Sequence, residues 1–185
     1  MMTVRRFTAC LAAGWMALRT VVLARPEETA REGMDRMKIL VRTRFPSVRQ
    51  ISTAALDQWL TDGSRPRPLL VDVRTADEFF VSHLPGARRL DPGASAIPRD
   101  WGSTKTVPVV FYCSVGYRSS QMAERMTGKG WTNVFNLEGS IFEWANEGRP
   151  IEAGGHSVRV VHPYNATFGK LLHPELRPAA GKTSR

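Results

Sequence analysis

Val107-Pro108-Val109-Val110-Phe111-Tyr112-Cys113-Ser114-Val115-Gly116-Tyr117-Arg118-Ser119 is the stretch on which the fold turns. Its first six residues are apolar apart from a proline, which sits near the start, where a missing N–H is tolerable in a strand. Such an unbroken apolar run predicts a strand buried on both faces, the pattern of a parallel sheet. The run leads straight into Cys113. After Arg118 the pattern changes to a helical one over Ser119 to Thr127, with Met122, Ala123 and Met126 on one face and Gly128 and Gly130 as stop signals. Strand, tight loop and helix in that order put the loop at the carboxyl end of a sheet, where open α/β sheets bind ligands.

The same alternation extends outward from this unit. Upstream, Val48 to Ile51 predicts a short strand, and Ser52 an N-cap for a helix through Leu56, Trp59 and Leu60. Leu69-Leu70-Val71-Asp72-Val73 predicts a second buried strand. Thr75-Ala76-Asp77-Glu78 has capping-box spacing before a short helix ending near Val81, and His83 to Ala87 reads as a turn. Arg88 to Leu90 suggests a short strand, followed by a loop from Asp91 to Thr106 with one helical turn around Ile97. Downstream, Asn133 to Leu137 predicts a strand and Ser140 to Glu147 a helix, closed by Gly148 and Pro150. Strands alternating with helices over about a hundred residues indicate an α/β domain with a parallel sheet. It spans 46–152, between an N-terminal apolar and basic extension with a linker helix at 1–45 and a basic C-terminal tail at 153–185.

Charge supports this division. The net charge is +9, yet residues 51–150 hold eleven basic and eleven acidic residues, so the excess lies in the two ends. A neutral core is not the footprint of a nucleic-acid reader, and no nucleic-acid partner is expected. Residues 1–24 join Arg5 and Arg6 to an apolar run that Arg19 interrupts. Three readings stay open there: a signal-like segment, an interfacial helix touching a membrane, or an extension ahead of Met34. Uninterrupted, the run is shorter than the roughly 20 residues of a membrane span. A cytoplasmic location is expected, with membrane association or export as the alternative. Arg25 to Glu32, with Pro26, reads as a linker, and Met34 to Phe45 as a modest helix. The tail, with Val158 to Tyr164 as a strand and turn, carries no functional assignment.

Cys10 and Cys113 are the chain's two cysteines, too few for a disulfide framework and without neighbours at metal-ligand spacing. No metal or cofactor is expected. A cysteine ending a core strand is often only a small hydrophobe. Here Gly116 allows the loop to curl, its N–H groups turn inward at a helix N-terminus, and Arg118 follows five residues after Cys113. That setting lowers a thiol's pKa and suits it to attack an anion-bearing substrate.

Taken together, Leu70-Val71-Asp72-Val73-Arg74, Glu78-Phe79, His83-Leu84-Pro85-Gly86-Ala87, the Cys113 loop, and Leu137-Glu138-Gly139-Ser140 through Trp144, Gly148 and Pro150 resemble a single-domain rhodanese over residues 48–151. The resemblance implies a five-stranded parallel sheet with helices on both faces. It implies an enzyme in which Cys113 takes sulfane sulfur from a donor such as thiosulfate, becomes a persulfide, and passes the sulfur to cyanide, a thiol or a partner protein's cysteine. Ser114, Val115, Gly116, Tyr117, Arg118 and Ser119 would form the substrate-binding loop, with Arg118 on the donor's oxyanion. Asp72 and Arg74 would support the loop from behind, Arg74 being within reach of Glu78, and His83 would belong to a structural turn. Gly139-Ser140 stands where many relatives have two glycines, a change expected to affect only the turn. Two rivals remain: a partner-binding module without turnover, and a cysteine-dependent phosphatase. Phosphatase loops of related folds have five residues between Cys and Arg where this chain has four.

Overall fold

The computed structural model describes residues 26–102 and 104–179. The apolar run of residues 1–24, with Cys10, lies outside the described residues.

Among the described residues, helix α1 (Pro26–Arg44) comes first. The linker expected over residues 25–32 is therefore helical from Pro26 onward. Proline opens this helix instead of breaking it, because a first-turn N–H has no helical partner to lose. Ala30, Met34 and Val41 are buried at helical spacing, and Phe45 extends the stripe just beyond the helix.

Then follow β1 (Gln50–Ile51), α2 (Thr53–Thr61), β2 (Leu69–Asp72), α3 (Ala76–Val81), β3 (Arg88–Arg89), β4 (Val109–Tyr112), α4 (Tyr117–Gly128), β5 (Val134–Leu137) and α5 (Ser140–Asn146). The five strands form one parallel sheet in the order β1-β5-β4-β2-β3. The expected five-stranded parallel α/β fold is thus the observed one. Ser52 caps α2, accepting the Ala55 N–H at 3.1 Å, and Thr75 and Glu78 form the complete capping box of α3. The helical turn expected around Ile97 is a 3-10 turn at Arg99–Trp101, with Ile97 buried just before it.

Successive side chains on a strand point to opposite faces, and β4 shows the result. Val110 and Tyr112 join one apolar cluster, whereas Val109, Phe111 and Cys113 join the other, against Met122, Ala123 and Met126 of α4. Fully buried side chains of this size contribute about 1.5–3 kcal/mol each relative to exposure.

Residues beyond the sheet complete the first cluster. After the hairpin β6 (Ile151–Ala153) and β7 (His156–Val158), the chain runs back so that Val161, Leu172 and Leu176 are buried beside Met34. His83 sits where β6 meets the domain, its backbone bonded in both directions to Glu152 and its ring stacked on Phe79 at 3.9 Å. Two ion pairs tie α1 down: Lys38 with Glu143 at 2.6 Å and Arg42 with Glu138 at 2.5 Å. No helix among the described residues is long and apolar enough to cross a membrane.

Candidate active site

Cys113 leaves the end of β4 and is 1% exposed. The following residues turn inward to start α4, and the turn needs Gly116 at φ +102°, a region that side-chain-bearing residues rarely adopt. A Cβ there would also press on the Asn136 amide at 3.3 Å. The turn aims the Gly116 N–H at the Cys113 sulfur, 3.3 Å away, and the buried Ser119 hydroxyl donates to the same sulfur at 3.4 Å. Burial pushes the Cys113 thiol up. The Arg118 charge, the Ser119 hydroxyl and N–H, and the Gly116 N–H outweigh it, leaving the pKa below the ordinary thiol value.

Arg118 has a partner that the sequence reading did not give it. Its Nη1 and Nη2 donate to the two Glu78 carboxylate oxygens at 2.8 and 2.7 Å, a bidentate pair, and Nη2 also donates to Ser114 Oγ at 3.0 Å. Ser114 Oγ–H donates in turn to Glu78. Burial pushes the Glu78 carboxyl up, but the Arg118 bond and the Thr75 N–H hold it down at about 2. Glu78 therefore caps α3 and neutralises the arginine of the loop with one carboxylate.

The expected pairing of Arg74 with Glu78 is not formed. Arg74 Nε and Nη2 instead grip Asp72 at 2.7–3.1 Å, and Nη2 reaches the Ser82 carbonyl at the end of α3. Asp72 lies two residues away, at the end of β2, and both side chains are fully buried, so this near partner takes the charge. Asp72 and Arg74 thus fix the far end of the helix that carries Glu78.

Ser140 does more than alter a turn, which corrects the expectation drawn from the glycine pattern. It adopts φ +52°, and its hydroxyl accepts the Cys113 N–H at 3.1 Å while donating to the Leu137 carbonyl at 3.0 Å. A buried N–H at the end of β4 is satisfied in this way.

A cavity of about 380 Å³ lies against Cys113. Ser114, Val115, Tyr117 and Arg118 of the loop line it, together with Met37 and Leu40 of α1 and Tyr164 and Phe168 of the tail. Tyr117 meets Phe45 edge-on at 5.2 Å. Tyr164 lies over the Arg118 guanidinium at 4.8 Å and meets Phe168 edge-on at 5.5 Å. The structure therefore gathers Cys113 through Ser119 in one place, with Asp72 and Arg74 behind them. The sequence reading missed Glu78 as the partner of Arg118, the bond made by Ser140, and the four wall residues Met37, Leu40, Tyr164 and Phe168. The capping box was a visible signal for Glu78, but spacing along the chain cannot show a bond between residues forty apart.

Comparisons with known proteins bear on the family and the fold. The Rhodanese-like domain model matches residues 52–147. A sulfurtransferase of Allochromatium vinosum is 36% identical over 111 residues, covering 57% of this chain and 96% of that protein. A tRNA uridine(34) hydroxylase of Xanthomonas euvesicatoria is 30% identical over 175 residues, covering 82% of this chain and 66% of that protein. Among solved structures, a rhodanese-like domain from Anabaena sp. has a TM-score of 0.51 at 21% identity, covering 57% of this chain and 80% of that one. A thiosulfate sulfurtransferase from Pseudomonas aeruginosa has a TM-score of 0.55 at 16% identity, covering 75% of this chain and 26% of that one. At such identities these structures speak to the fold alone. The family match and the sulfurtransferase relative support sulfurtransferase activity in the broad sense, and the chain belongs to the rhodanese-like family.

Proposed function

We propose that Cys113 carries sulfane sulfur as a persulfide between a small donor and a thiol or cyanide acceptor. The thiolate attacks the outer sulfur of the donor, for which thiosulfate is the simplest case. The S–S bond of the donor breaks, its electron pair leaves with sulfite, and the outer sulfur stays on Cys113. An acceptor thiolate then attacks that outer sulfur and regenerates the Cys113 thiolate. Cyanide in the same role leaves as thiocyanate, and a partner protein's cysteine is an equivalent acceptor. The Cys113 sulfur, held by the Gly116 N–H and Ser119 hydroxyl with a lowered pKa, is the observation that carries this reading. The amides of Ser114, Val115, Gly116, Tyr117 and Arg118 would then hold the persulfide's outer sulfur.

Mass spectrometry after donor treatment tests it. Wild type is expected to gain one sulfur on Cys113, discharged by cyanide and absent in Cys113→Ser. No gain in wild type, or a gain on Cys10 alone, overturns the carrier role in favour of a binding module. Hydrolysis of phenyl phosphate is expected to be absent, since the short loop and the Glu78-bound Arg118 leave little for a phosphoryl group.

The likeness to the tRNA uridine(34) hydroxylase extends well beyond residues 52–147, which favours a second reading in which the loop serves RNA modification. Retention of tRNA by the full chain at physiological salt would support that reading. The neutral charge of residues 51–150 supports the first.

A further inference from the structure

The cavity over Cys113 is walled by apolar side chains from outside the family's segment. Met37 and Leu40 come from α1, with Leu40 47% exposed at its rim, and Tyr164 and Phe168 come from the tail. The tail is built to hold its aromatic pair there. Tyr164 adopts φ +63°, unusual for a residue with a side chain, and its N–H donates to His162 Nδ1 at 3.0 Å. Asn165 Oδ1 accepts the N–H groups of Thr167 and Phe168, both at 3.0 Å.

Electrostatics point the same way. Among the described residues lining the cavity, Arg118 is the one cationic side chain. Glu78 neutralises its edge, and Tyr164 covers its face. With Cys113 as thiolate, Arg118, Glu78 and Cys113 sum to one negative charge, so an inorganic dianion meets no unpaired cation and has only the loop's N–H groups to replace its hydration. An apolar organic group of modest size, by contrast, finds a pocket of ordinary ligand dimensions.

We infer that the small-molecule sulfur donor of this site is an organic sulfane-sulfur compound with an apolar group, the apolar group lying between Leu40 of α1 and Tyr164 of the tail. This rests on the persulfide reading above and narrows its substrate class. With a thiosulfonate the step balances: the Cys113 thiolate attacks the terminal sulfur of R–SO2–S⁻, the S–S bond breaks, and R–SO2⁻ leaves with the electron pair. Total charge is the same before and after.

Three donors separate size from charge when assayed with the full chain and cyanide, reading thiocyanate: thiosulfate, methanethiosulfonate and benzenethiosulfonate. The expected kcat/KM order is benzene over methane over thiosulfate, with the aryl-to-methyl ratio falling about tenfold in Leu40→Ser and in Tyr164→Ala. Comparing that ratio between wild type and variants cancels the leaving-group difference of the two sulfinates. The two substitutions lie at exposed positions on separate elements, so misfolding of one leaves the other informative. Thiosulfate as the best donor, or an unchanged aryl-to-methyl ratio in both variants, overturns the inference while sulfur transfer stands. Failure of all three donors to load Cys113 overturns the carrier reading itself.

Discussion

Replacing Glu78 with Gln keeps the shape of the side chain and removes its charge. Glu78 is 1% exposed and holds Arg118 through both oxygens while capping α3. Its carboxyl falls from an ordinary 4.5 to about 2 on folding. At about 1.4 kcal/mol per tenfold change, that depression corresponds to about 3 kcal/mol. Because the folded pKa is the lower one, this stability is complete above pH 4.5 and is lost as pH falls toward 2. Wild type is therefore expected to show an acid limb of about 3 kcal/mol over that interval in denaturant melts, and Glu78→Gln is expected to lack it. At neutral pH the variant should melt about 6–12 °C lower, from the usual slope for a chain of this size. The chemistry should move too. Arg118, no longer neutralised, would lower the pKa for Cys113 alkylation further and raise the relative kcat/KM of thiosulfate. Parallel acid limbs in the two proteins, or an unchanged alkylation profile, would refute the view that Glu78 sets the charge of Arg118.

Three further outcomes are expected. Ser140→Ala leaves the Cys113 N–H unpaired and should cost about 1–3 kcal/mol in a urea melt, whereas a cost near zero would mean that the hydroxyl bridge is idle. Asp72→Ala strands a fully buried Arg74 and should cost about 3–5 kcal/mol, with hydrogen exchange rising first at the end of α3; exchange unchanged there would contradict the anchoring role. Deleting residues 1–24 should shift the protein between membrane and soluble fractions without changing sulfur transfer, if those residues are an address or anchor; equal recovery of both forms in the soluble fraction removes that reading.

Much of the frame was legible from local pattern. The Val109–Tyr112 and Leu69–Asp72 runs signal buried strands because parallel sheets bury both faces. Ser52 and the Thr75–Glu78 box act within a single turn, so their spacing alone reveals them. Cys113, Gly116 and Arg118 were legible for the same reason, since one loop carries all three. What escaped was tertiary. Glu78 meets Arg118 across forty residues, and Arg74 turned to the nearer Asp72. Pro26 looks alike at a linker and at a helix start when the segment after it is weakly periodic, so local pattern does not separate the two. Tyr164 and Phe168 sit in a stretch with no regular periodicity, so nothing in the sequence pattern separated them from a solvated tail.

The two walls of the cavity are laid down at opposite ends of synthesis. Met37 and Leu40 leave the ribosome before the Cys113 loop, and Tyr164 and Phe168 well after it. For the time needed to add some fifty further residues, a few seconds at about 5–20 residues per second, the wall from the tail does not yet exist. Over that interval α4, β5 and α5 are added around the loop while the cavity stays open on the side that Tyr164 and Phe168 later line. A cut in the segment between β7 and Tyr164 would return the finished protein to that half-sheltered condition, so limited proteolysis there would be read as faster thiol oxidation before any loss of the sheet.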